Sequence, residues 1–468
     1  KECITNRDRM FDCPQNLREE EMFEVPEWAA NKVVYQIFPS RFAATEPVDK
    51  ELWYKAPITP MDDLHGNLRG IIEHMDDIQN LGIDVLYMTP IFQSNSCHKY
   101  DTTDYYQIDP SFGTTEDLKE LVQKAHERGM KVVLDAVYNH TGREFFAFAD
   151  ILENGEKSKY RDWYFIDGFP LKSEWGEIPN FKCFGYYGGM PKLNLKNPEV
   201  EKYITDVACY WIKECDIDGW RLDVGDEISH FFWKNFRKAV KAVKKDLLII
   251  GEIWHYAGDF LEGDEWDTVM NYPFYLNLID LLADEKITVS QFVQNLGYLK
   301  GRLNQNCYPL MWNLIDSHDT ARFLHLCNDN KKKQHLAAAF QLLLPGMPMI
   351  YYGDEYAMPG ANDPDCRRGM YWDEEYQDKE MYEWYKRLIQ VRKSHACIVE
   401  GELAGIVTED EEGTIVLIRK NGEETIAMIF NCSSSAKKFN EYTQKYNLLT
   451  ENTFDGNVEG FDAAVIVL

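Results

Sequence analysis

Three acidic residues, Asp223, Glu252 and Asp319, each close a run of β-forming residues: IDGWRLDV (217–224), LLIIGEIW (247–254) and LMWNLIDSHD (310–319). Acids in such places point into the open end of a strand-and-helix barrel, where side chains from different strands converge. Three converging carboxyl groups have the parts needed to break a glycosidic bond. One attacks, one donates and recovers a proton, and one steadies the cationic transition state.

The neighbours give these acids distinct chemistry. Period-two alternation puts Gly219, Arg221 and Asp223 on one face and Trp220, Leu222 and Val224 on the other. An Arg beside Asp223 keeps it ionised and aims it, as a nucleophile requires, although an interior ion pair would look the same. Trp254 follows Glu252 by two residues, and a carboxyl beside an indole suits a proton donor. The plainer reading is a strand-end Glu reaching solvent. Around Asp319, His318 is placed to bind a sugar hydroxyl, and Asp316 completes a polar end that would equally serve a turn or a helix cap. DAVYNH (135–140) sets Asp135 in the mouth of the barrel with His140 just beyond it. HKYD (98–101) adds His98, Tyr100 and Asp101, a pocket wall with one aromatic face.

The elements that must position these residues are eight strands alternating with amphipathic helices. The strand runs lie at 33–38, 84–90, 131–137, 217–224, 247–253, 266–271, 310–316 and 346–354. Helical periods cover 68–82, 115–129 and 198–216, the last opening with Asn197 as a cap and Pro198 in the first turn. The pattern predicts a (β/α)8 TIM barrel over 31–395. Residues 139–196, rich in aromatics, Gly and Pro without a clean helical period, form an irregular insertion after the third strand. From 396 to 468 short runs with Glu-Gly and Asn-Gly turns predict an antiparallel C-terminal β-sandwich domain. Residues 1–30 read as a segment or linker ahead of the barrel.

A formal charge of −28 over 468 residues argues against nucleic acid or an anionic membrane as partner. Eleven Cys with no Cys-x-x-Cys pair suggest reduced thiols and a cytoplasmic setting. The most apolar stretch, 335–352, is interrupted by Pro345, Gly346 and Pro348, so no membrane span is expected. No phosphate-binding Gly loop is seen. No metal site is expected: Asn139 and the insertion could offer oxygen ligands to calcium, but no loop has calcium-site spacing.

Taken in order, DAVYNH, GWRLDV, GEIW and IDSHD resemble the four signature segments of the α-amylase family of glycoside hydrolases. The resemblance implies Asp223 as nucleophile, Glu252 as general acid/base and Asp319 as transition-state stabiliser. It implies that His98, Tyr100, Asp135, His140, Arg221 and His318 shape the subsite of the reacting glucose. MPKLN (190–194), with Lys192, is similar to the version in neopullulanases, cyclomaltodextrinases and maltogenic amylases, as are 98–113 and 360–372. In that group Phe184 and Trp254 match aromatics flanking the acceptor side, and Asp363 and Arg367 match a pair contacting donor-side sugars. Gly225, Asp226 and Glu227 stand where the group reads Ala-Asn-Glu, so acceptor preference rests on Glu227 and its neighbours. The calcium loop often seen after the first strand is missing from 41–53, and no cofactor is required. Residues 9–28 resemble the end of the group's N-terminal β-domain, and a monomer or homodimer is expected.

The resemblance implies a retaining enzyme on α-1,4 (and some α-1,6) glucosidic bonds of cyclodextrins, maltooligosaccharides and pullulan, with transfer to sugar acceptors as a second outcome. The competing readings are an α-glucosidase or broad α-amylase, and a non-catalytic sugar-binding barrel. Retention requires the two reacting carboxyl groups about 5–5.5 Å apart.

Overall fold

The computed structural model describes residues 24–172 and 178–468. Much of the 9–28 stretch therefore lies outside the described residues. All eight expected runs form strands: β1 (Val34–Ile37), β2 (Val85–Met88), β3 (Lys131–Ala136), β4 (Gly219–Leu222), β5 (Leu248–Gly251), β6 (Thr268–Val269), β7 (Trp312–Asn313) and β8 (Met347–Tyr351). They pair in parallel in the order β6-β5-β4-β3-β2-β1-β8-β7. A single parallel bridge from Met270 to Trp312 closes the ring. Alternate residues separate two apolar sets. Val34, Val85, Tyr87, Ile250, Trp312 and Met349 fill the barrel, while Leu86, Leu134, Trp220, Leu222, Ile249 and Ile350 pack outward.

A repeated device fixes the lower end of this barrel. Asp84, Asp218 and Asp267 lie just ahead of β2, β4 and β6, and each Oδ2 accepts a backbone N–H from the neighbouring strand's start, at Val33, Val132 and Ile249, all at 2.9 Å. Each carboxylate is matched by basic side chains: Lys393 for Asp84, Lys131 and Lys244 for Asp218, Arg237 and Lys241 for Asp267. Burial opposes the charge on Asp218, but hydrogen bonding from His126 and the Lys244 ammonium hold it well below the usual carboxylate range. Strand register is thus pinned at one end by charge-assisted bonds, and the opposite end is left to the loops.

Those loops carry the site. After β2, strands Phe92–Ser94 and Thr102–Ile108 pair antiparallel, and the turn between them presents His98 and Tyr100. After β3, the insertion contains a nine-residue helix, Phe146–Asn154, which the aromatic-rich composition hid. Its Phe148 packs on Tyr164 and Phe181, a small aromatic core. Bridges His140–Lys192 and Cys183–Pro191 fold the end of the insertion back over β3, which brings Phe184 and Lys192 to the barrel mouth. The helix Pro198–Cys215 begins where expected, with the Asn197 side chain accepting from the Glu199 amide.

Beyond the helix Lys379–Ser394, β9 (Glu402–Glu409), β10 (Thr414–Asn421), β11 (Glu424–Asn431) and β12 (Asp462–Val467) build an antiparallel sheet, completed to six strands by Tyr446–Asn447 and Asn452–Thr453. One face, with Val416, Ile429 and Ile466, is covered by a two-stranded layer, Lys437–Lys438 with Asn457–Val458. The other face belongs to the barrel's own core, with Phe430 stacked on Phe340 at 4.3 Å. The expected sandwich is thus lopsided, and barrel helices complete the packing that a second full sheet would supply.

Candidate active site

Arg221 is the hub of the mouth. Its guanidinium is fully buried, and Nη1 donates to Asp223 Oδ1 at 2.9 Å and to both oxygens of Asp135 at 3.0 Å. The adjacent Nη2 forms an ion pair with Glu252 Oε2 at 2.9 Å and lies 4.0 Å from Asp319 Oδ2. The four acids, from β3, the residues just past β4 and β5, and the loop after β7, therefore converge on one cation, as the strand parity requires. One positive charge cannot balance three close carboxylates, so the cluster retains a proton. Burial, then the negative charge of Glu252, pushes Asp223 well above the usual carboxylate range despite Arg221. Arg221 pulls Asp223 downward, as expected, but the guanidinium is shared with Asp135 and Glu252. Asp135 is likewise raised by burial, to about 6, against the pull of Arg221 and a hydrogen bond from Tyr87.

Around this hub one side of the mouth is assembled from distant segments. Tyr100 Oη donates to Asp135 at 3.1 Å and meets His318 Nε2, while Gln36 Nε2 lies 2.7 Å from His318 Nδ1. With the Gln36 amide donating to Nδ1, the neutral ring carries its proton on Nε2, which faces Asp319 Oδ1 at 3.2 Å. Burial and the nearby Arg367 and Arg221 keep His318 neutral, far below its ordinary range. Asp319 has 29% of its side chain exposed, against 8% for Asp223 and for Glu252, so it forms the rim. Arg367 reaches Asp319 at 3.4 Å and pairs with Asp363 at 2.8 Å. His98 accepts the Tyr100 amide on Nδ1, which leaves Nε2–H as its donor when neutral. Burial lowers its basicity. Asp316 turns away and accepts the Phe323 amide, the helix-cap alternative for that residue.

The opposite wall is aromatic and ionic. Phe184, 36% exposed, stacks on His140 with ring centres 5.3 Å apart. Burial lowers His140 to about 4, and its Nε2–H donates to the Tyr100 carbonyl. Trp254, 42% exposed, lies parallel to Tyr272 at 4.0 Å and donates to Glu252 Oε1 at 3.3 Å. Lys192 Nζ contacts Asn139 Oδ1 and Glu227 Oε2, each at 2.7 Å. The ammonium thus holds the oxygen considered for calcium, and this donor set does not fit the ion. Among the described residues no group of three or more His, Cys, Asp or Glu is arranged to hold a metal.

Of the residues singled out from the sequence, fifteen lie in this one mouth or at its immediate rim, and Asp316 lies away from it. Sequence reasoning missed Gln36, Tyr87 and Tyr272. Their apolar or strand context gave no sign of chemistry, although Gln36 inside a VVYQIF run is the kind of polar interruption that merits notice.

The α-amylase catalytic-domain family matches residues 36–377. The chain belongs to the α-amylase family. It is a glycoside hydrolase of that family, and its curated relatives share most of its length. A cyclomaltodextrinase of Geobacillus thermopakistaniensis is 46% identical over 430 residues, 91% of this chain and 73% of that one. Neopullulanase 2 of Thermoactinomyces vulgaris is 43% identical over 417 residues, 88% of this chain and 71% of that one. Among solved structures, a cyclomaltodextrinase aligns with TM-score 0.90 at 39% identity, covering 95% of this chain and 79% of its own.

Proposed function

We propose that the protein is a retaining hydrolase of short and cyclic α-1,4 glucans, cyclodextrins above all, with Asp223 as nucleophile, Glu252 as acid/base and Asp319 as stabiliser. The observation that carries the reading is one buried guanidinium that hydrogen-bonds Asp223 through Nη1 and, through Nη2, forms a close ion pair with Glu252 that is not aligned as a hydrogen bond. Two carboxyl groups tied to one planar fork favour the narrow separation of retaining enzymes over the gap of about 6.5–9.5 Å that an inverting enzyme keeps for water.

Glu252 Oε2 accepts the Val224 amide at 2.9 Å and pairs with Arg221, so that oxygen is held bare. For Asp223 to attack, the proton that the cluster retains must sit on Oε1, whose contact among the described residues is the long one from Trp254. Asp223 attacks the anomeric carbon while Glu252 Oε1 protonates the departing oxygen. Glu252 then takes a proton from water, or from an acceptor sugar, as it displaces Asp223. Asp319 steadies the ring as positive charge develops, and the His318 Nε2–H beside it is placed to orient that carboxylate or a sugar hydroxyl. Phe184 and Trp254 offer half-exposed rings to acceptor sugars, and Asp363 with Arg367 offers polar groups to the donor end. The cyclodextrin class is supported by the similarity to relatives named cyclomaltodextrinase. Nine free thiols among the described residues support a reducing, cytoplasmic setting.

The test is a product time-course on β-cyclodextrin for the wild type and Glu252→Gln. Ring opening to short maltooligosaccharides is expected in the first, with a loss of at least about a hundredfold in the second. Equal rates would remove Glu252 from the chemistry, and a strong preference for starch over cyclodextrin would overturn the substrate class.

A further inference from the structure

We infer that Trp266 is a positioning residue: its buried indole is the spacer that holds the ends of β4 and β5, and so Asp223 and Glu252, in their working relation. The inference rests on the acid assignments proposed above. Trp266 lies two residues ahead of β6 and is fully buried. A β-carbon placed on Gly251 would lie 2.2 Å from its Cε3 and 2.4 Å from Cζ3. One placed on Gly225 would lie 2.7 Å from Cζ2 and 3.0 Å from Cη2. The indole is therefore wedged between two bare Cα atoms, one immediately before Glu252 and one two residues after Asp223. Neither glycine has a left-handed φ, so each is there for room and not for a turn.

The wedge is fixed from behind. Phe260 stacks on the indole at 4.1 Å and 4°, Trp233 meets it edge-on at 5.9 Å, and Trp233 Nε1 also donates to the Gly225 carbonyl at 2.9 Å. Between Asp223 and Gly225 sits Val224 with φ 46° and ψ 43°, a left-handed conformation that a β-branched residue holds only under constraint. That conformation aims the Val224 amide at Glu252 Oε2. Contact of Trp266 with Gly225 on one side and Gly251 on the other supplies the constraint. The indole N–H is buried without a partner, an unfavourable placement, so shape is what this side chain contributes.

The test is a double-mutant cycle of Trp266→Phe and Gly225→Ala on β-cyclodextrin, with kcat, KM and pH profile read for each protein. Trp266→Phe only removes volume and keeps the aromatic stack. It is expected to lower kcat about tenfold to a hundredfold with KM little changed, and to shift the limbs of the pH profile. Gly225→Ala crowds the indole and is expected to do the same. In the double variant the added methyl fills space the indole vacates, so kcat and pH profile should return to within about threefold of the wild type. Multiplying losses in the double variant, or a folded Trp266→Phe with unchanged kcat and pH profile, would overturn the inference alone. A wild type inactive on every α-glucan would overturn the activity reading and this inference with it.

Discussion

Arg221 serves Asp135, Asp223 and Glu252 at once, and its replacement by Lys separates charge from geometry. A lysine ammonium retains the charge but loses the planar fork that reaches two carboxyl groups through adjacent nitrogens. Arg221→Lys is expected to lower kcat/KM on β-cyclodextrin by about a hundredfold or more while the protein stays folded, as steady-state kinetics with circular dichroism would show. A variant within about threefold of wild type would deny the fork its role. At this scale much was legible. Strand parity placed Asp223 with Arg221, and the same parity placed Asp135 beside them. The sharing of one cation by three acids was not legible, because it depends on the distance between strands that are far apart in the chain. For the same reason Val224 reads as an outward apolar residue by alternation, yet it leaves the strand in a left-handed turn.

At the scale of elements, the strands were visible because their interior and exterior are both apolar, which gives near-continuous runs of Val, Ile and Leu. What alternation cannot display is the polar chemistry just past each run. The turn after β8 holds Glu355, buried and receiving hydrogen bonds from the Tyr35 hydroxyl at 2.7 Å and the Gly353 amide at 2.9 Å. Burial raises its carboxyl to about 7 from an ordinary value of 4.5, despite those bonds. The folded protein therefore holds a proton there that the unfolded chain releases, and this contribution to stability falls as pH rises from about 4.5 to 7. Glu355→Gln should flatten that part of a melting-temperature profile, by a difference on the order of 3 kcal/mol across the window. Parallel profiles would show that Glu355 does not carry the dependence. The lower end of the barrel behaves oppositely. Asp218, held low by His126 and Lys244, contributes stability that is present above the unfolded value and lost as pH falls through the folded one. Asp218→Asn should cost about 3 kcal/mol or more in denaturant unfolding at neutral pH, with KM unchanged. A variant of wild-type stability would show that the basic side chains around it contribute nothing net.

For the whole molecule, the C-terminal sheet shares the barrel's core through Ile415, Leu417, Phe430 and Val465. A chain ended at residue 395 would leave Phe340 and its neighbours on the helix Lys331–Leu343 bare, and aggregation or a much lowered melting temperature is expected. A soluble truncated chain melting with the full one would show the sheet to be an independent unit. The sequence made the sheet visible through its turns but concealed this dependence, because which face of a strand meets a helix about ninety residues away has no local signature. The roles of the reacting pair in the mouth are read from the anomeric form of the first product, followed by proton NMR during cleavage of a linear maltooligosaccharide. Asp223 as nucleophile with Glu252 as acid/base predicts the α-anomer first, relaxing slowly to the mixture. Initial release of the β-anomer would contradict it.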